Sequence, residues 1–104
     1  MKINVVKVSS ALSDPIRQRI LRMLISHERG ESQGWCCTSP AEGVCNCDIV
    51  SALSLLQSRV SYHMKELADA GVIKEKSKGK WKYYSLNRET LREYIRQITL
   101  DYNL

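Results

Sequence analysis

The chain has 104 residues, of which 43% are hydrophobic and 26% are charged. This length suits one compact domain, residues 1–104, and the balance of apolar and charged residues argues against a chain that is disordered as a whole. Sixteen basic residues against 11 acidic ones leave a net charge of +5, which favours an anionic partner, nucleic acid before a membrane surface, although it would also serve solubility alone.

The N-terminal part of the chain predicts two helices. Met1–Lys7 has a lysine within its apolar run and no cleavage pattern, and no stretch has the length of a membrane span, so we expect a cytoplasmic protein with reduced thiols and no membrane partner. Residues 3–12 are weakly amphipathic and predict a short helix. A second helix is expected to begin with Asp14 as its N-cap and Pro15 at its first position, and to end near residues 27–30.

A loop is expected next, because glycine and proline interrupt a polar stretch that has no periodicity. This cysteine-containing loop should extend over about residues 28–47. It holds every cysteine of the chain, namely Cys36, Cys37, Cys45 and Cys47.

Two helices joined by a tight break follow the loop. Asp48 is expected to cap the third helix, and residues 54–56 to form the break. The fourth helix should extend from Gln57 to Ala70, where Gly71 ends it. The residues expected to point inward are Ile49, Val50 and Leu53 in the third helix and Val60, Met64 and Leu67 in the fourth. This pair of helices predicts a helix-turn-helix.

The C-terminal part predicts a hairpin and a last helix. Residues 72–86 have a strand period with Lys78-Gly79 as the turn signal, and Asn87 should cap the helix. The order of elements predicts a mainly α fold of the α+β type, a winged helix-turn-helix with extra N- and C-terminal dimerisation helices. The apolar face of the last helix, which suits either a dimer surface or the helix's own core, comprises Leu91, Tyr94, Ile95 and Ile98, with Tyr102 beyond.

The fourth helix is expected to read DNA. Its outward face can bond base edges and phosphates, and Arg59 is the best candidate for base reading because its planar fork matches the two acceptors of guanine. A merely solvated helix would expose the same residues, and His63, at the edge of the inward stripe, suits a core position as well as a phosphate contact. The alternating hairpin lysines, several of which are expected to share one face, could also protect an edge strand. The predicted DNA contacts are Gln57, Ser58, Arg59, Ser61, Tyr62, His63, Lys65, Lys78 and Lys80.

The chain contains the stretches VCNCDIVSALSLLQSRVSYHMKELADAGVI and GKWKYYSL. Together they resemble the arsenical-resistance repressor (ArsR/SmtB) family of bacterial and archaeal metal sensors, over about residues 11–98. The resemblance implies a homodimeric winged-helix repressor that binds a palindromic double-stranded DNA operator and releases it when a metal or metalloid binds.

In the arsenic-sensing branch, the resemblance implies thiolate ligands at the start of the third helix, in a Cys-x-Cys-Asp-hydrophobic-Cys pattern. Cys45 and Cys47 match the first two positions, whereas Val50 stands at the third. The last helix, expected from Asn87 onward, lacks the histidines with which other members bind zinc or nickel. The third thiol is then expected from the pair earlier in the loop, Cys36 or Cys37.

Thiolates are soft donors that favour soft ions. Trivalent arsenic or antimony takes three sulfurs, and Cys45 and Cys47 can reach one ion if Cys45 is still extended where the helix begins. Such an ion would be an inducer, and no permanent cofactor is expected. Cadmium, lead or mercury sensing, a structural zinc site, a disulfide switch and buried structural cysteines stay open as alternatives. The sequence has no phosphate loop and no acid–base pair that would indicate an enzyme.

Overall fold

The computed structural model describes residues 2–31, 35 and 42–104, which form helices and a small antiparallel sheet. The helices are α1 (Val5–Leu12), α2 (Pro15–Glu28), α3 (Asn46–Leu53), α4 (Gln57–Asp69) and α5 (Arg88–Asp101); the strands are β1 (Val44–Cys45), β2 (Ile73–Lys78) and β3 (Trp81–Leu86). The expected winged helix-turn-helix is confirmed, with α3 and α4 as its helices and β2–β3 as its wing. Within the described ranges, no helix is both long enough and apolar enough to cross a bilayer.

The start of α2 follows the sequence prediction. A side-chain oxygen of Asp14 accepts hydrogen bonds from the backbone N–H groups of Ile16 and Arg17, at 2.8 and 3.2 Å. Two of the N–H groups that a helix start leaves without partners are thereby satisfied.

The start of α3 differs from the prediction. Asp48 is not the N-cap: the helix begins at Asn46, Cys45 occupies the cap position, and Asp48 lies buried in the first turn. The reason is the short strand β1, which holds Cys45 extended until the helix begins. The carboxylate of Asp48 still lies at the positive end of the helix dipole, where a negative charge is favourable.

The break between α3 and α4 lies where it was expected. Ser54 adopts the left-handed conformation (φ 54°), which ends α3, and Leu56 precedes α4 without any side-chain cap. The α4 helix ends at Asp69, one residue before the predicted end, and Gly71 follows with φ +78°.

The sheet has the strand order β1-β3-β2, and each neighbouring pair is antiparallel. The wing turns at Gly79 and Lys80, one residue later than predicted. Cys45 of β1 pairs with Tyr83 of β3, which pairs in turn with Lys76 of β2. The cysteine-bearing segment and the wing therefore belong to one sheet.

The core forms where the helices meet this sheet. The inward positions of α3 and α4 are buried as predicted, except that Val50 is only partly covered. In α5, Leu91 and Tyr94 pack partly against the core, whereas Ile95 is 65% exposed. The predicted apolar face of α5 is thus divided between the core and solvent.

Candidate nucleic-acid interface and thiol site

The outward face of α4 carries side chains that can donate or accept hydrogen bonds. Its inward residues Val60, Met64 and Leu67 are at most 3% exposed, whereas Tyr62 on the opposite face is 55% exposed. The predicted DNA contacts that the structure leaves exposed on α4 are Gln57, Ser58, Arg59, Ser61, Tyr62 and Lys65. The face thus has the predicted exposure, and DNA contact itself stays a prediction.

His63 is turned away from this face. It is 5% exposed, and its Nδ1 accepts a hydrogen bond from Nε of Arg17 at 3.2 Å. Burial lowers the pKa of His63, as does the nearby charge of Arg17, while Asp14 acts in the opposite direction. The neutral ring is the form that can accept this bond. This burial does not favour the predicted phosphate contact and agrees with the core position that the sequence left open.

Arg17, which the sequence analysis did not single out, connects three helices. Its side chain is buried in α2, bonds His63 of α4, and donates from Nη1 to the carbonyl oxygen of Ser10 in α1 at 2.9 Å. Its guanidinium carbon also lies 5.9 Å from the ring centroid of Tyr62, whose ring meets that of His63 edge-on at 5.3 Å. The orientation of the α4 face is therefore linked to a buried cation.

The wing lysines divide between the two faces of the hairpin. Lys82 pairs across the strands with Ser77 and has its Nζ 3.9 Å from Glu75. Several lysines share one face, as expected, but Lys82 lies on the other, because the two-residue turn moves even-numbered residues of β3 to the other face. The lysines on the opposite face of β2 are Lys74, Lys76 and Lys78.

The two predicted wing contacts, Lys78 and Lys80, have partners within the protein. Lys78 and its neighbour Lys76 lie 3.3 and 2.6 Å from the carboxylate oxygens of Glu42. The hydrogen bond with Lys76 lowers the pKa of Glu42 most, and the hydrogen bond with Lys78 lowers it further. The Nζ of Lys80 lies 5.1 Å from the ring centroid of Trp81, which is 38% exposed at the wing tip. Local patterns could not have found Glu42, since it lies in an irregular segment and 36 residues from Lys78.

Cys45 and Cys47 come together at the start of α3. Their sulfur atoms are 3.0 Å apart; Cys45 is fully buried and Cys47 is partly exposed. Cys45 has extended torsion angles (φ −74°, ψ 141°), as predicted for a pair that can reach one ion. Two sulfurs on one tetrahedral ion at about 2.3 Å lie about 3.8 Å apart. The pair therefore fits a shared ion after a small separation.

The rest of the predicted ligand set cannot be placed. Cys36 and Cys37 lie outside the described residues. Within residues 2–31, 35 and 42–104, no group of three His, Cys, Asp or Glu side chains is arranged to hold a metal ion. A complete three-sulfur site therefore stays a prediction that needs one of these two cysteines.

A groove of about 560 Å³ lies between the start of α3, one side of α4 and the wing. Asn46 and Val50 contribute from α3, Met64 from α4, and Lys82 and Tyr84 from β3. Burial raises the pKa of Tyr84 above its ordinary value of 10.0. The thiol-bearing helix α3 thus faces both α4 and the wing across one groove.

The terminal helices contact each other and expose apolar side chains. The hydroxyl oxygens of Ser9 in α1 and Tyr94 in α5 are 2.8 Å apart. The large apolar residues exposed on α1, on α5 and beyond it are Val6, Ile95, Leu100, Tyr102 and Leu104, each more than 60% exposed. Their use in a dimer stays a prediction.

Comparison with known proteins gives a consistent result. Residues 42–75 match the sequence model of the family described as bacterial regulatory protein, arsR family. An arsenical resistance operon repressor of Staphylococcus xylosus is 31% identical over 90 residues, 86% of this chain and 71% of that protein. An arsenical resistance operon repressor of Bacillus subtilis is 47% identical over 45 residues, 43% of each chain, so the match spans less than half of that relative. A cadmium resistance transcriptional regulatory protein CadC homolog of Staphylococcus aureus is 29% identical over 97 residues, 93% of this chain and 69% of that protein.

Solved structures share the fold. The crystal structure of an ArsR family transcriptional regulator superposes with a TM-score of 0.70 at 15% identity, over 95% of this chain and 86% of that chain. HlyU from Vibrio cholerae superposes with a TM-score of 0.61 at 20% identity, over 95% of this chain and 91% of that chain.

Proposed function

The chain belongs to the arsR family of bacterial regulatory proteins, and from this premise we propose that it is a repressor that leaves its DNA operator when a thiophilic ion binds. The favoured ions are trivalent arsenic and antimony, and the protein acts in the cytoplasm, where its thiols stay reduced. The observation that carries the ion-binding part is the 3.0 Å contact between the sulfurs of Cys45 and Cys47.

DNA binding is attributed to α4 and the wing. The exposed N-terminal turns of α4 suit the major groove, where Arg59 would read guanine and Tyr62 would bond a base edge or a phosphate. The wing would lie along the phosphate backbone, which its lysines attract. The net charge of +5 supports this assignment, since phosphate contacts dominate the affinity of such interfaces.

Ion binding is attributed to Cys45, Cys47 and a third thiolate from Cys36 or Cys37. The sulfur of Cys47 belongs to the first turn of α3, where the helix dipole favours a thiolate. Drawing three sulfurs together would move the start of α3, which packs against α4. A shift of α4 against its counterpart in a dimer would change the spacing of the two reading helices on a palindrome.

The dimer itself is attributed to α1 and α5. Their exposed apolar residues, Val6 and Ile95 among them, support a surface that a second copy would cover. Two copies would place two α4 helices on successive turns of the major groove, as a palindromic operator requires. A monomer in sedimentation at micromolar concentration would count against this arrangement.

The proposal is tested by titrating the reduced protein, bound to an operator selected from a random DNA library, with arsenite, antimonite and divalent cadmium, lead and mercury. We expect arsenite to release the DNA from the parent protein. Cys45→Ser and Cys47→Ser should bind the operator normally and no longer release it, whereas one of Cys36→Ser and Cys37→Ser should behave like the parent. If arsenite still releases the DNA from either Cys45→Ser or Cys47→Ser, the ligand assignment is refuted.

Cadmium sensing is the second candidate function. The similarity to the CadC homolog favours it, and thiolate-rich sites also bind this ion. If cadmium releases the DNA at a lower concentration than arsenite does in the same titration, cadmium sensing is favoured over arsenic sensing. Release by peroxide alone, reversed by a thiol reductant, would instead indicate a redox response of the Cys45–Cys47 pair.

A further inference from the structure

A single carboxylate, that of Glu42, occupies two lysines of the wing. Its Oε2 lies 2.6 Å from Nζ of Lys76 and its Oε1 lies 3.3 Å from Nζ of Lys78. The side chain of Glu42 is only 15% exposed, whereas those of the two lysines are 63% and 68% exposed. Two oxygens of one anion thus hold the cations that a DNA phosphate would otherwise bind.

The backbone next to Glu42 is pressed against the wing. Gly43 has φ +118°, and a Cβ at this position would lie 2.5 Å from the carbonyl oxygen of Tyr84 in β3. Only glycine suits such a conformation and such a close approach. Beyond Gly43, Val44 pairs with Tyr84, so the segment that carries Glu42 is anchored to the sheet on its C-terminal side.

We propose that Glu42 competes with DNA phosphates for Lys76 and Lys78 and thereby limits the affinity of the wing for DNA. A phosphate can bind either lysine only after the carboxylate has left it, so the free energy of these ion pairs opposes DNA binding. This inference rests on the DNA-binding part of the proposed function. A parent protein that binds no duplex DNA would refute that function and not the competition.

Glu42→Gln tests the competition without any ion, since it removes the charge and keeps the shape. Each lysine that becomes available for a phosphate steepens the salt dependence by about 0.9 in log–log slope. For two lysines, the ratio of the variant's DNA affinity to the parent's should therefore fall about 12-fold between 50 and 200 mM salt. We expect this ratio to be on the order of ten at 50 mM salt and about one at 200 mM. The assay is fluorescence anisotropy of labelled duplex DNA over that salt range.

Two controls separate this effect from a general change of charge. Glu89→Gln removes the same charge from an exposed position in the first turn of α5, and it should leave the salt slope at the parent value. In a Lys76→Gln/Lys78→Gln background, adding Glu42→Gln should change nothing, because the competing partners are gone. Equal salt slopes for Glu42→Gln and Glu89→Gln, or an undiminished effect of Glu42→Gln in the double-lysine variant, would overturn the proposal.

Discussion

Replacing Arg17 with methionine tests whether the buried connection between α1, α2 and α4 stabilises the protein. Arg17 is 7% exposed and donates to Nδ1 of His63 and to the carbonyl of Ser10. That carbonyl also accepts from the hydroxyl of Ser13 at 2.8 Å, so the loss falls mainly on His63. A buried acceptor that loses its donor costs about 1–3 kcal/mol, and a hydrogen bond from a charged group contributes about 1.5–3 kcal/mol.

Methionine retains much of the apolar stem, so we expect the free energy of unfolding to fall by about 2–3 kcal/mol in Arg17→Met. In a domain of this size, such a loss corresponds to a melting temperature lower by about 10–20 °C. Urea unfolding followed by circular dichroism measures the free energy directly. Arg19→Met, at an exposed position of the same helix, is the matched control and should stay within about 0.5 kcal/mol of the parent.

Equal stability of Arg17→Met and Arg19→Met would refute this reasoning. A second test is the double variant Arg17→Met/His63→Leu. Removing both polar partners leaves no buried acceptor without a donor, so the double variant should lose less stability than the sum of the single variants. Strict additivity would show that the two side chains do not depend on each other.

The remaining predictions concern pH and base reading. Because burial lowers the pKa of His63 in the folded protein below the ordinary value of 6.5, the unfolded state binds more protons as the pH falls through that value, and the parent should lose stability there. His63→Asn keeps an acceptor for Arg17 but does not titrate, so its free energy of unfolding should fall less between about pH 7.5 and about pH 5.5; equal losses would contradict the role of His63. Arg59→Ala should weaken binding to the selected operator relative to random DNA by about 1–3 kcal/mol in competition anisotropy. Equal weakening on both DNAs would assign Arg59 to a phosphate.

Local sequence patterns were sufficient for much of the fold. The N-cap Asp14 and the inward residues of α4 depend on neighbours within one or two helical turns, which a local pattern records. The exposed candidates of α4, such as Tyr62, follow from the same periodicity. The extended conformation of Cys45 was also predicted, because both thiols could reach one ion only in that geometry.

The largest errors and omissions involve contacts between elements rather than patterns within one element. Asp48 was misassigned as a cap because β1, only two residues long, exists through its pairing with β3. The face of Lys82 depends on hairpin register, which a shift of one residue at the turn reverses. Arg17 bonds a residue 46 positions away, and Glu42 one 36 positions away. Neither contact leaves a periodic trace in the sequence.

Cys45, Tyr83 and Lys76 lie opposite one another on the three strands of the sheet. This register fixes the distance between the thiol-bearing strand and the wing. Neighbouring strands are about 4.8 Å apart, so the thiol strand and the wing lysine are separated by about 10 Å and by one intervening strand. A rotation of the backbone at Cys45 would reach Lys76 through two sets of interstrand hydrogen bonds. The cysteine proposed to bind an ion and the lysine proposed to bind phosphate are in this respect neighbours on one sheet.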